Sequence, residues 1–147
     1  MMKINFNKYV TGKNRAKVRA AANFFMKEQL SALKASNTFV EIRLLDLQGA
    51  HGFCSLHEDE GNLYSPKSFT IDIDGKMSVR QILETLAHEM IHMRQFRNKE
   101  LGYRENHTLF RGRAYRLDMP YHKEPWEKEA YRKEGPLLAK FLKEYKA

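Results

Sequence analysis

One cysteine in 147 residues, Cys54, leaves no partner for an internal disulfide and excludes both a disulfide framework and a cysteine-rich zinc ribbon. Any metal held by this chain must be bound by His, Asp or Glu. No stretch approaches the ~18 consecutive apolar residues of a membrane span, and the N-terminal run MMKINFNKYVTGKNR lacks the apolar core of a secretion signal. The expectation is a soluble, cytoplasmic protein with no membrane partner. Internal repeats and low-complexity linkers are missing too, so a single domain over 1–147 is expected. Acidic residues are outnumbered 18 to 26, a formal net charge of +8. Such a surface attracts anions, nucleic acid among them, without naming one. A hydrophobic share of 42% is enough for a real core.

Periodicity orders the chain. Residues 14–34 place Val18, Ala21, Ala22, Phe25, Leu30 and Leu33 near a 3.6-residue repeat between Lys and Arg, which predicts a basic amphipathic helix. The β-branched and aromatic stretch 38–47 predicts a strand, as does 51–56. Residues 68–73 alternate Phe69, Ile71 and Ile73 with Ser68, Thr70 and Asp72, the mark of a strand buried on one face. From Ser78, a capping residue, the period returns to that of a helix reaching about Arg97. Aromatics on both sides of Arg111-Gly112-Arg113 predict a short hairpin over 107–116, with a helix as the alternative. Pro125 suits the first turn of a final helix, and Gly135-Pro136 predicts a kink before 137–145.

Inside the strongest predicted helix lies His88-Glu89-Met90-Ile91-His92, an H-E-x-x-H sequence. Residues four apart stand one above the other on a helix, so both imidazoles can reach one Zn2+ at roughly 2.0–2.1 Å. Glu89 is turned by about 100° from His88, beside the metal and not on it, where a carboxylate can take a proton from metal-bound water. Three fixed residues in five also arise by chance, but most chance copies fall in loops and this one has a helix around it. A hydrolytic zinc site needs one more protein ligand and an open position. Glu127 and Glu129 on the final helix, His107, and more distantly His122 are the candidates; taken singly, each also reads as an ordinary solvated residue.

The run Leu83 to Gln95, the segment Phe110 to Tyr115, and Pro125-Trp126-Glu127-Lys128-Glu129-Ala130-Tyr131 together resemble a family of small, mostly phage-encoded zinc metallopeptidases. The resemblance covers roughly residues 53–131. Within the wider zincin class it implies a glutamate ligand on a following helix. The E-x-x-A spacing of Glu127 and Ala130 is similar to that of ImmA/IrrE-type peptidases. Carried over by position, Glu127 is the third ligand and Glu129 its supporting neighbour. A second segment, His107-Thr108-Leu109-Phe110 with Leu117, is similar to the segment that follows H-E-x-x-H in SprT-like DNA-associated proteases, where the histidine is a ligand; Thr108 replaces the glycine expected there.

Weaker signals accompany these. Gln95 shares the face of His88 and could bond the site or point to solvent. Tyr131, four residues after Glu127, could donate to a developing oxyanion, with core packing as the other reading. Cys54 reads as a small buried apolar residue. Arg94, Arg97, Lys99, Arg104, Arg111 and Arg113 could bind phosphate backbones or simply form solvated faces. The expected fold is an α+β minimal zincin-like domain: an N-terminal helix behind a small, mostly antiparallel sheet, the H-E-x-x-H helix packed on that sheet, and a C-terminal helix carrying the third ligand. The expected function is peptide-bond hydrolysis by metal-activated water with Glu89 as general base. A peptide or protein substrate would add to the edge strand 51–56. The alternatives are a SprT-like DNA-associated protease and a catalytically silent, zinc-stabilised binding module.

Overall fold

In strands β2 (Phe39–Leu45) and β4 (Ser68–Asp74) of the computed structural model, which describes residues 2–145, alternate side chains meet in register, Val40 beside Phe69, Ile42 beside Ile71 and Leu44 beside Ile73. All six are buried. The opposite face is polar, with Arg43 paired to Asp72 at 2.7 Å. Two further strands complete the sheet, β1 (Met2–Asn5) at one edge and β3 (Gly52–Leu56) at the other, in the order β1-β2-β4-β3. The fold is α+β, as expected.

Strand direction departs from expectation. Antiparallel pairing holds between β3 and β4, whereas β1 runs parallel to β2, and β2 to β4. The chain goes along β2, back along β3 and forward again along β4. Because β4 inserts between the other two, it meets β2 in the same direction. Burial explains the insertion: Phe69, Thr70, Ile71 and Ile73 make β4 the most buried strand, suited to the interior, while β3 exposes alternate residues and tolerates the edge.

Helix α1 (Gly12–Gln29) buries Val18, Ala21, Ala22, Phe25 and Met26. It stops sooner than its periodicity suggests, because Ser31 caps a separate short helix α2 (Ala32–Ser36), its hydroxyl accepting from the Lys34 amide at 3.2 Å. Leu33, expected in the core, is 72% exposed as a result. Helix α3 (Val79–Arg97) starts at Ser78 with a reciprocal capping box to Gln81 and from Leu86 onward is buried on nearly every side, polar residues included, since it is enclosed by the sheet, α1 and α4. Helix α4 (Pro125–Glu144) begins at Pro125 and continues through Gly135-Pro136, the site of the expected kink, as one helix. Its second half is held by Leu138 and by Phe141, whose ring lies 5.6 and 5.9 Å from those of Phe24 and Phe25.

A second, antiparallel sheet links α3 to α4: β5 (Leu101–Arg104), β6 (His107–Phe110) and β7 (Arg113–Arg116). The expected hairpin is β6–β7, and its two-residue turn, Arg111-Gly112, has φ of 50° and 81°, the left-handed geometry that such a turn requires. None of the described helices is long and apolar enough to cross a membrane.

Where β3 crosses α3, Gly52 permits the contact. A Cβ there would lie 2.6 Å from Thr85 Cγ2, 3.0 Å from the Asp72 carbonyl oxygen and 3.4 Å from Glu89 Cγ. Gly52→Val is expected to lift β3 from α3 and to destabilise the fold by about 1–3 kcal/mol, the usual range for overpacking. Chemical denaturation checks this, and wild-type stability in the variant would show that the contact is slack.

Candidate metal centre

The capping box fixes where α3 begins, and the 3.6-residue repeat then carries His88 and His92 to the face that meets α4. Pro125 at the first turn and the buried Trp126 place the start of α4 opposite them. The result is a convergence on one carboxylate oxygen: Glu127 Oε1 lies 2.9 Å from His88 Nε2 and 3.1 Å from His92 Nε2. One ligand atom from each of these three residues falls within 4.8 Å of the other two, a group that could hold a metal ion.

The remaining ring nitrogens are also held. His88 Nδ1 faces Glu134 Oε1 at 2.9 Å, and His92 Nδ1 faces Gln95 Oε1 at 2.8 Å. Such partners fix the ring plane and direct each Nε2 inward. Gln95 is fully buried and is itself positioned, donating from Nε2 to the Trp126 carbonyl at 3.1 Å and to Glu129 Oε1 at 2.8 Å. Glu129 in turn accepts from Arg94 at 2.6 Å and from Arg111. Burial opposes charge on Glu129, but Gln95, Arg111 and Arg94 prevail and hold its pKa down at about 2. Burial likewise disfavours the His88 imidazolium, yet Glu127 and Glu134 raise its pKa to about 9, while Glu127 is lowered to about 2 against its own burial by the two histidines.

Glu89 stands apart from this network. The residue is 7% exposed, and its carboxylate makes no hydrogen bond among the described residues. Burial pushes its pKa up, with His92 and His88 pulling it back. Two cavities meet here, sharing Gly52, His88, Glu89 and Tyr121 as their common wall. The larger, of about 500 Å3, is bounded by His51, Glu84 and Glu134; the smaller, of about 250 Å3, by Phe53, Phe96 and Tyr103.

Among the residues singled out in the sequence, His88, His92 and Glu127 come together, Glu89 lies beside them, and Glu129 reaches them through Gln95. His107 and His122 are exposed, on β6 and on the 3-10 turn Tyr121–Lys123, and neither belongs to the group. Tyr131 is 58% exposed, not packed in the core, and its ring centroid lies 4.5 Å from that of His88. Cys54 is half-buried, its thiol pKa raised by burial and then by Glu89. In the basic cluster, Arg94 and Arg111 are committed to Glu100 and Glu129, and the buried Arg97 donates to Thr38.

Two residues escaped the sequence reading. Tyr121 donates its hydroxyl to Glu127 Oε1 at 3.0 Å and meets the Tyr131 hydroxyl at 3.1 Å, but it sits in a turn after Pro120 where no periodicity marks it. Glu134 stands among Arg132, Lys133 and Lys140 on the same helix, where a glutamate is usual at the surface. Its signal was the spacing Glu127, Tyr131, Glu134, one face at i, i+4 and i+7. Compared with known proteins, the chain matches no family model, no curated protein and no solved structure.

Proposed function

We propose that this chain is a zinc-dependent peptidase, and the observation that carries the reading is the convergence of His88, His92 and Glu127 beside the buried residue Glu89, whose carboxylate has no hydrogen-bond partner among the described residues. The donor set fits zinc: two imidazole nitrogens and one carboxylate oxygen, each imidazole braced from behind, with cavities on both sides for an open position. Zinc bound there supplies a Lewis acid that polarises a peptide carbonyl and lowers the pKa of water towards ~7.

The protein's own residues divide the remaining work. Glu89 accepts the proton of the attacking water and returns it to the leaving amine, for which its position in the common wall of both cavities is suited. Tyr131, whose hydroxyl is oriented by Tyr121, offers a donor to the carbonyl oxygen as charge develops on it. Substrate adds as an extra strand to the free edge of β3, which leads past Glu89. The likeness to small phage-encoded zinc metallopeptidases and a cytoplasmic location belong to the same proposal. A purely structural metal site would not require Glu89, which separates this reading from a silent binding module.

Metal content tests the first half. The purified protein is expected to hold one zinc per chain, Glu127→Ala to bind it at least ~10²-fold more weakly, and His107→Ala to bind it unchanged. Elemental analysis with competition against a chelator measures all three. Full zinc retention in a protein lacking both His88 and His92 would remove the site.

A further inference from the structure

The two cavities beside Glu89 differ in chemistry. The larger is bounded by Glu84, Glu89 and Glu134, and no lysine or arginine lines it, in a chain of net charge +8. Glu84 lies one turn before His88 on the same face of α3, and among the described residues its carboxylate makes no ion pair, not even with Arg80 one turn earlier. Glu134 uses Oε1 on His88 and leaves Oε2 without a hydrogen bond among those residues. Glu89, nine-tenths buried, has no hydrogen-bond partner at all among them. Among the basic side chains only His51 and His88 line the cavity, and His88 is already held by Glu127 and Glu134, so a cation entering the space meets the Glu84 and Glu89 carboxylates and the second oxygen of Glu134. The exposed ring of Tyr131, also in the wall, offers its face to the same charge. Across Glu89 the smaller cavity presents Phe53, 56% exposed, and Tyr103, 67% exposed, together with Phe96.

Resting on the peptidase reading for the nature of the ligand, we infer that the larger cavity is a subsite for an organic cation carried by a polypeptide, while the smaller one takes an apolar side chain from the other side of the same peptide bond. The cation is a lysine or arginine side chain or a chain-terminal ammonium; all are positive, hydrogen-bond-donating groups. Gly52 on the edge strand β3 lines both cavities, so a peptide paired with that strand passes from one to the other.

Binding and cleavage are measured separately on one peptide set. The peptides are acetylated and amidated, carry a Phe-Leu pair, and vary one residue on either side of it between Lys, Arg, norleucine and Glu; a further norleucine peptide has a free N-terminus. Zinc-loaded Glu89→Gln protein, which keeps Glu84 and Glu134, is titrated by calorimetry. Lys and Arg peptides are expected to bind at least ~10-fold tighter than norleucine, with the gap shrinking from about 0.05 to 0.5 M salt as charges are screened. Adding Glu84→Arg is expected to reverse the order of the Lys and Glu peptides. Tight binding by the free-N-terminus peptide alone would support the cavity as a cation site and assign it to the ammonium. Equal binding of Lys and norleucine peptides overturns the subsite. Cleavage by the wild type with equal kcat/KM across the set overturns it too, while leaving the peptidase reading in place. Selective binding of cations with no cleavage of any bound peptide keeps the subsite and removes the peptidase reading.

Discussion

Glu89→Gln is expected to retain its zinc and to lose peptide hydrolysis by ~10²–10⁴-fold, the range that a positioned acid–base group contributes. Retention follows from the proposed ligand set, the group of His88, His92 and Glu127 that could hold a metal ion, which does not include Glu89. Loss follows from the isostere: a carboxamide fills the same space between Gly52 and the histidines, yet cannot take up a proton. Cavity shape should therefore persist while turnover falls. Metal analysis and cleavage of a denatured protein substrate, followed by mass spectrometry, read the two effects on one sample. Undiminished turnover of a substrate cleaved by the wild type would take Glu89 out of the mechanism. Loss of zinc along with activity would instead make it a structural neighbour of the site.

A second large effect is expected at Glu129, which touches no metal ligand directly. Its side chain is 3% exposed and neutralises Arg94, itself 13% exposed, together with the more exposed Arg111 and Lys133. Removing one partner of a buried pair costs ~3–5 kcal/mol because the other charge stays buried. For Glu129→Ala the lower end is expected, since Arg94 and Arg111 both keep Glu100. The site should suffer separately: without Glu129 the Gln95 amide loses one of its two acceptors, and the orientation that presents Oε1 to His92 is less firmly set. Zinc affinity is expected to fall ~10–100-fold, the usual effect of losing a group behind a ligand.

Acidity provides a further check on Glu129. A carboxylate whose pKa falls on folding stabilises the fold above its ordinary value and ceases to do so once protonated. The stability difference between wild type and Glu129→Gln is therefore expected to be full above pH 4.5 and to disappear as pH falls towards about 2. Denaturant titrations across that range measure it. A constant difference would mean that packing, and not charge, is what Glu129 provides.

The hydrophobic repeat of 3.6 or 2 residues, with Ser78 as a cap, located α3, β2 and β4, whereas the β6–β7 hairpin was marked only by aromatics on both sides of Arg111-Gly112-Arg113, a pattern that also allowed a helix. Strand β1 lay outside that reach, since four residues at an edge carry too little pattern. The spacing of His88 and His92 on one helical face, and of Glu89 beside them, is likewise a property of the chain itself. Helical geometry puts i and i+4 together whatever surrounds them.

The tertiary structure decided which of Glu127, Glu129 and His107 lies against the two histidines. Each had the chemistry of a ligand, and only the packing of α4 on α3 set Glu127 Oε1 against both histidines, turned Glu129 to Arg94 and Gln95, and left His107 exposed on β6. The same packing brought in Tyr121 and Glu134, and the insertion of β4 between β2 and β3 made β3 the free edge beside Glu89. Local periodicity fixes which face of a helix or strand is buried, whereas contacts between residues some 40 apart depend on how elements dock, which no local repeat encodes.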